Sequence, residues 1–196
     1  RIHWMMSKAR GKRVLDAGCS QGISSLLLAR EGFEVLGIEV EKDSITYANR
    51  ELERESDLVQ SRVKFRLGDI AEDLSAHGEF DTILLGEVLE HLVYPQRVLA
   101  NLRDCLSEGG RIVITVPFGV HPFHDHKGTY LISSFIDLVQ DLFAPIELDT
   151  DARYLFAVLG RREGDRSCSH DWRDFLEQTE KSFGTLQKRT SREIEE

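Results

Sequence analysis

The sequence predicts a doubly wound α/β fold: a parallel sheet with helices on both faces, ending in an antiparallel hairpin. Three observations carry this. Short apolar runs alternate with amphipathic stretches from Val14 to Val116, the pattern of strands joined by crossover helices. A glycine-rich turn, Gly18 to Gly22, directly follows the first run. The last two apolar segments are joined only by Asp149-Thr150-Asp151, which suits a hairpin and is too short for a crossover.

The elements follow in order. Val14 to Ala17, Glu34 to Ile38, Val63 to Leu67, Thr82 to Leu85 and Ile112 to Val116 read as strands, rich in β-branched and aromatic residues and several bounded by Gly or Pro. Ile23, Leu26 and Leu27 mark one helix face, and Ile45, Ala48 and Leu52 a second. Val98, Leu99, Leu102, Cys105 and Leu106 fall on one face of a helix that Pro95 opens and Gly109-Gly110 closes. Phe135, Leu138, Val139 and Leu142 mark a fourth helix, and Pro145 to Leu148 and Tyr154 to Leu159 form the closing hairpin.

Composition bounds the rest. With 196 residues and 41% hydrophobic residues, the chain can bury a full core as one domain with an appendage. We place the domain at residues 1–161, with a polar linker and an amphipathic helix over 162–196. In that tail Trp172, Leu176, Thr179, Phe183 and Leu186 recur in a heptad-like seam, which predicts docking on the domain, self-association or attachment to a further domain. No apolar run approaches the ~20 residues of a membrane span, and Ile2 to Met6 is too short for a leader. Cys19, Cys105 and Cys168 are odd in number and widely spaced, against a disulfide framework or a cysteine-zinc site. A reducing, cytoplasmic setting is the expectation. The net charge of −9 disfavours nucleic acid unless a local basic patch intervenes. The chain opens on Arg1 rather than Met, which predicts a trimmed or excised piece.

The turn Asp16-Ala17-Gly18-Cys19-Ser20-Gln21-Gly22 lies where a doubly wound sheet binds a nucleotide-like ligand. Its glycines would let backbone approach the ligand closely. Asp16 decides which ligand. A dinucleotide site offers helix-end amides to a pyrophosphate, and a carboxylate there would repel it. A ligand carrying an ammonium and a sulfonium would be attracted, which favours S-adenosylmethionine over NAD. Glu39, about twenty residues on at the end of the second strand, is placed to accept both hydroxyls of a ribose. Asp69 can accept from an adenine amino group, and Ile70 can pack on the ring.

VLDAGCSQG, GIE, GDI, FDTILLGEVLEHL and LSEGGRIVITVP, in that order, resemble the class I S-adenosylmethionine-dependent methyltransferases over roughly Gly11 to Gly160. The resemblance implies a Rossmann-like sheet of seven strands, mainly parallel with the last antiparallel. It also implies a cofactor pocket drawn from Asp16, Gly18, Cys19, Ser20, Gly22, Glu39, Val40, Gly68, Asp69, Ile70 and Gly86. Ser20 departs from the pattern, standing where many members have a second loop glycine.

Glu87, Glu90 and His91 follow the fourth strand at i, i+3 and i+4, one face if the segment is helical. Two carboxylates and an imidazole at this strand end make a metal site or a capped turn with solvated acids. The EVLEH string also occurs in methyltransferases resembling the ubiquinone-biosynthesis type, where it does not by itself establish a metal. Past the fifth strand, His121, His124 and His126 fall within six residues. The run Asp125-His126-Lys127, then Tyr130 and Phe135, resembles the DHK…W…F run of the small-RNA 3′-terminal 2′-O-methyltransferases (the Hen family), with Tyr130 in place of a tryptophan. That family pairs ExxEH with a DHK histidine around a divalent cation. Carried over, the ligands are Glu87, Glu90, His91 and His126, with His121 and His124 as rivals for the fourth position. No counterpart of that family's Pro-Pro substrate motif is present.

Such a cation would acidify and orient an acceptor hydroxyl. Two His and two Glu suit Mn, Fe, Co or Zn at least as well as Mg. His91 or His124 can take the proton where it is not a ligand. The leading reading is therefore a metal-assisted O-methyltransferase acting on a hydroxylated small molecule, sugar or glycan. An RNA 3′-terminal 2′-O-methyltransferase and a non-catalytic interaction module built on the same domain are the alternatives.

Overall fold

The computed structural model describes residues 1–119, 123–151 and 153–162. One seven-stranded sheet organises them: β1 Arg13–Ala17, β2 Glu34–Glu39, β3 Val63–Leu67, β4 Phe80–Gly86, β5 Leu106–Pro117, β6 Phe143–Thr150 and β7 Tyr154–Arg161. The strand order is β3-β2-β1-β4-β5-β7-β6. β1 to β5 pair in parallel, while β7 runs antiparallel to both β5 and β6. The predicted α/β class and closing hairpin are both present. The order reverses at β1, between β2 and β4, so the carboxyl ends of these strands open the crevice in which such sheets bind ligands.

Among the described residues, six α-helices cover the sheet: α1 Ile2–Ser7, α2 Ile23–Arg30, α3 Lys42–Leu52, α4 Asp57–Gln60, α5 Pro95–Asp104 and α6 Ile132–Val139. Strand residues alternate between two cores. Leu15, Ile83, Leu85, Ile112 and Ile114 face α5 and α6, packing with Leu99, Leu102 and Phe135. Val14, Leu84 and Val113 face α1 and α2, packing with Met5, Leu28 and Ala29. Both faces are dry, which is why the central strands are apolar at successive positions rather than at alternate ones. No helix among the described residues is long and apolar enough to cross a membrane.

Two expectations are corrected. α5 ends at Asp104 rather than at Gly109-Gly110. Leu106 fits the helical period, but it is the first residue of β5 and pairs with Phe80, and the Cys105 carbonyl already accepts from Phe80 N–H at 2.8 Å. Gly109, at φ +71°, and Gly110 lie within that strand's irregular start. The Ile2 to Met6 cluster, weighed only as a leader, forms a helix whose Met5 is buried, as is Ala9 just past its end. Cys19 and Cys105 are buried thiols. Cys168 and the seam from Trp172 to Leu186 lie outside the described residues.

Candidate functional site

The glycine turn leaves β1 with the backbone in left-handed conformation at Gly18 (φ +77°) and Gly22 (φ +78°). Gly18 and Cys19 donate to the Ile38 carbonyl at 2.8 and 3.1 Å, pinning the turn to β2. The need for glycine here is one of conformation and packing within the protein. A Cβ on Gly18 would stand 2.5 Å from a Val88 methyl, and one on Gly22 would stand 2.4 Å from the Phe65 ring. Ser20 also has positive φ, +47°, which is the physical reason a glycine would suit that position.

Asp16 is buried and accepts from Ser25 Oγ at 2.7 Å. Burial pushes its carboxyl up to about 6, with Glu39 adding to the rise. Glu39 folds back on the turn: it accepts from Val40 N–H at 2.8 Å, Glu41 N–H at 3.0 Å and Ser20 N–H at 3.0 Å. Three of about four acceptor positions on a carboxylate are thus used, so accepting both ribose hydroxyls would require sharing or displacing one of these bonds. Asp16, Gly18, Cys19, Ser20 and Gly86 line one crevice. Val40 is 71% exposed beside it in sequence from Glu39. Gly68 donates to the Glu39 carbonyl at 2.9 Å, and Asp69 accepts from Ala71 N–H at 2.8 Å at the end of β3. Ile70, expected to pack on an adenine ring, is buried and belongs to the core cluster that also holds Leu74 and Ile38.

Sequence reasoning missed one wall of this crevice. Arg1, Ile2 and Met5 of α1 and its cap line it as well. Gly86 makes room for them: a Cβ there would lie 2.8 Å from Met5 Sδ and 3.1 Å from the Arg1 guanidinium. The available signal was the i, i+3, i+4 spacing of Ile2, Met5 and Met6.

A second pocket adjoins at Glu87, the residue after Gly86. Glu87, Glu90, His91, Asp125 and His126 line it, with Phe123 and Tyr154. The expected single helical face of Glu87, Glu90 and His91 does not form. Glu87 N–H still bonds across the sheet to the Thr115 carbonyl at 2.9 Å, and its φ is +60°. Only Leu89–His91 then makes one 3-10 turn. A non-glycine residue in this conformation costs of order 1–3 kcal/mol, and it aims the chain from strand into turn.

Donor atoms of Glu90, His91 and His126 lie within 4.8 Å of one another; Glu87 shares the pocket but is not in that group. The 123–130 segment is anchored by backbone: Lys127 and Gly128 donate to the Glu90 carbonyl at 2.6 and 3.1 Å. Tyr130 is buried and donates its hydroxyl to the Leu89 carbonyl at 3.1 Å. Burial and Glu90 push the Tyr130 hydroxyl up to about 12. His91 and His126 meet edge-on, with ring centres 5.0 Å apart, and Asp125 Oδ2 stands 3.4 Å from His91 Nδ1. His124 is exposed and outside the cluster. His121 lies outside the described residues.

Glu90 tests whether the residues fit a cation. It is 1% exposed, and its Oε2 is buried without a hydrogen-bond partner. Burial, with Glu87 and Asp125 contributing, pushes its carboxyl up to about 7. A buried carboxylate is costly unless paired, and two imidazoles able to act as neutral donors stand beside it. Two ligands of one first-row cation at ~2.1 Å lie at most ~4.2 Å apart, so a small side-chain adjustment closes the set. The donors fit a divalent cation.

Against this geometry, the comparisons with known proteins are specific. A methyltransferase-domain family model matches residues 8–152. The ubiquinone biosynthesis O-methyltransferase of Coxiella burnetii is 32% identical over 103 residues, covering 53% of this chain and 42% of that protein. The chain thus spans under half the length of this curated relative. Among solved structures, the PH0226 protein from Pyrococcus horikoshii OT3 superposes with a TM-score of 0.68 at 19% identity, covering 82% of this chain and 87% of that one. The glycopeptide N-methyltransferase MtfA in complex with S-adenosylmethionine superposes with a TM-score of 0.66 at 13% identity, covering 82% and 92%. The family match runs from the end of α1 to the β6–β7 hairpin, so it takes in the glycine turn, the Glu87 to His91 turn and the 123–130 segment together, and on that match the chain belongs to the methyltransferase-domain family.

Proposed function

We propose that the chain is an S-adenosylmethionine-dependent methyltransferase, and specifically a metal-assisted O-methyltransferase acting on a hydroxylated small molecule, sugar or glycan. The observation that carries the finer reading is Glu90: a buried carboxylate with an unpartnered oxygen, facing two histidines, one residue-pair away from the cofactor crevice.

In this reading Asp16 holds the ammonium of S-adenosylmethionine, and Glu39 accepts from its ribose. Glu87, Glu90, His91 and His126 hold the cation, as in the Hen-family pattern. Mn, Mg, Co, Fe or Zn bound there would lower the pKa of an acceptor hydroxyl. The sulfonium carries its own leaving group, so the protein's share of catalysis is mainly positioning. α1 walls the crevice, excluding water from the Gly86 side. His91 is the proton acceptor where it is not a ligand, its ring oriented by Asp125; exposed His124 is the weaker candidate. The curated relative is named an O-methyltransferase of ubiquinone biosynthesis, which supports oxygen as the methylated atom and a small molecule as acceptor. The net charge of −9 supports a non-nucleic-acid acceptor. Residues 1–161 are the catalytic unit and 162–196 an appendage for assembly, in a cytoplasmic setting.

Calorimetry with S-adenosylhomocysteine tests the cofactor: binding is expected, and tight NAD binding without any response to S-adenosylhomocysteine overturns the assignment. Methyl transfer to a panel of catechols, sugars and glycans, with chelator and then added Mn or Co, tests the rest. Full activity in excess chelator, with no metal by elemental analysis, rejects the metal and leaves His91 as general base.

A further inference from the structure

The opposite edge of the sheet holds a feature the methyltransferase reading does not use. At the amino ends of β1, β2 and β3, Arg13, Arg62, Lys64 and His77 line a cleft of about 280 Å³, floored by Leu36 and Phe80. It lies one length of β1 from the glycine turn, about 15 Å for five residues. The chain as a whole is acidic, yet Arg13, Arg62 and Lys64 line this cleft against one acid, Glu34, while Lys12 pairs with Glu34 and Arg66 contacts His77 at its rim.

The nearby carboxylates are already engaged. Glu34 pairs with Lys12 at 2.7 Å. Asp81 accepts from the Lys12 and Arg13 N–H groups at 2.7 and 2.9 Å and from Ser107 Oγ at 3.1 Å. Arg13 is fixed in place, donating to the Glu79 and His77 carbonyls and lying over the Phe80 ring. Arg62 uses one nitrogen on the Ala29 carbonyl at 3.1 Å, and its remaining donors stay available. Arg66 Nη1 lies 2.5 Å from His77 Nε2. A guanidinium only donates, so that nitrogen accepts and His77 is the neutral Nδ1–H tautomer, surrounded by cations. Desolvation, Arg66 and Lys64 hold its pKa down.

We propose that this cleft binds a small ligand through a phosphate or diphosphate group, held by Arg62 and Lys64 with His77 at its side. Several fixed positive charges and a guanidinium fork match a multiply charged oxyanion better than a single carboxylate. An anion there would offset the charge of Arg66 and Lys64 on His77. The histidine could then take a proton, releasing Arg66 from its Nε2.

The test follows His77 by NMR pH titration of the full chain, at constant ionic strength set with chloride so that general screening is matched. Inorganic phosphate and pyrophosphate, added separately, are expected to raise the His77 pKa by about 0.5 unit or more, pyrophosphate at the lower concentration. Lys64 is exposed, so Lys64→Gln should fold normally; it should weaken pyrophosphate binding about fivefold, and Lys64→Glu should abolish it. Lys42→Gln, on the exposed surface of α3, should leave it unchanged. No movement of His77 with either anion overturns the proposal. So does an equal loss from Lys42→Gln, or a response to a short oligonucleotide alone.

Discussion

The cofactor crevice and the neighbouring Glu/His pocket share the Gly86–Glu87 step, yet they are satisfied to opposite degrees. In the crevice the acids already have partners: Asp16 has Ser25, and Glu39 has three backbone N–H groups. In the pocket, the most deeply buried carboxylate, Glu90, keeps an oxygen with no hydrogen bond. A preformed, self-satisfied crevice suits a ligand of one fixed shape. An unsatisfied carboxylate between two imidazoles suits a cation that completes it. The difference teaches that the two halves should fail differently when perturbed: the first gradually, the second by losing one defined component.

The largest effect should come from the pocket. A metal at ~100 times its dissociation constant adds ~2.7 kcal/mol of stability. Mn or Co should raise the melting temperature of the native chain, and His126→Ala or Glu90→Gln should remove that rise. Methyl transfer should fall ~10²-fold or more, in keeping with the worth of one acid–base or electrostatic component. A variant that keeps both the metal-dependent melting shift and the activity would erase the contrast between the two pockets.

Next in size is Gly18→Ala. A left-handed residue with a Cβ costs ~1–2 kcal/mol, and the Val88 clash adds ~1–3 kcal/mol of overpacking. Chemical denaturation should show a loss of about 2–4 kcal/mol. Because Val88 packs against Gly18 and lies two residues before Glu90 in the chain, the substitution should weaken both S-adenosylhomocysteine and metal, unlike either acid variant.

Asp16→Ala should weaken S-adenosylmethionine by more than tenfold, ~1.4 kcal/mol, and leave the metal-induced melting shift intact. The pH dependence has a definite sign. Burial pushes the folded carboxyl of Asp16 up to about 6, above the 3.8 usual for an aspartate. Folding therefore favours the protonated carboxyl, and this contribution to stability is present below about 3.8 and is lost as pH rises through about 6. Cofactor affinity runs the other way, since the ammonium needs the anion: affinity should fall as pH drops below about 6. Calorimetry at pH 5 and pH 7.5 checks it, and Asp16→Ala should flatten the profile.

The two regions also differ in how legible they were. The crevice is made of turns that each follow their own strand, so Asp16, Gly18, Glu39 and Asp69 are read from local spacing. The pocket needs Glu90 and His126 brought together across a sheet and a loop, and its geometry is set by backbone that side-chain spacing does not encode. Glu87 N–H stays bonded to Thr115, so the helical face implied by i, i+3, i+4 never forms. Leu106 satisfied a helical period and a strand register at once, and pairing with Phe80 decided between them. The inner wall from α1 was legible only as a two-turn apolar pattern, and the partner that gives it meaning, Gly86, is eighty residues away.

The smallest effect sharpens the comparison most, because it separates holding the pocket from being in it. Tyr130 is not one of the three donors Glu90, His91 and His126, but its hydroxyl bonds the Leu89 carbonyl at 3.1 Å, beside Glu90 in sequence. Tyr130→Phe keeps the ring and its edge contact with Phe135 at 6.5 Å and removes one buried hydrogen bond, leaving the Leu89 carbonyl only its bond from Leu92 N–H at 3.2 Å. About 1–2 kcal/mol of stability should go. If the bond positions the turn, metal affinity should fall several-fold while S-adenosylhomocysteine affinity holds, because the glycine turn is pinned to β2 and not to this segment. Equal weakening of both ligands would mean that the two pockets form one cooperative unit, and the contrast between them would be one of charge alone.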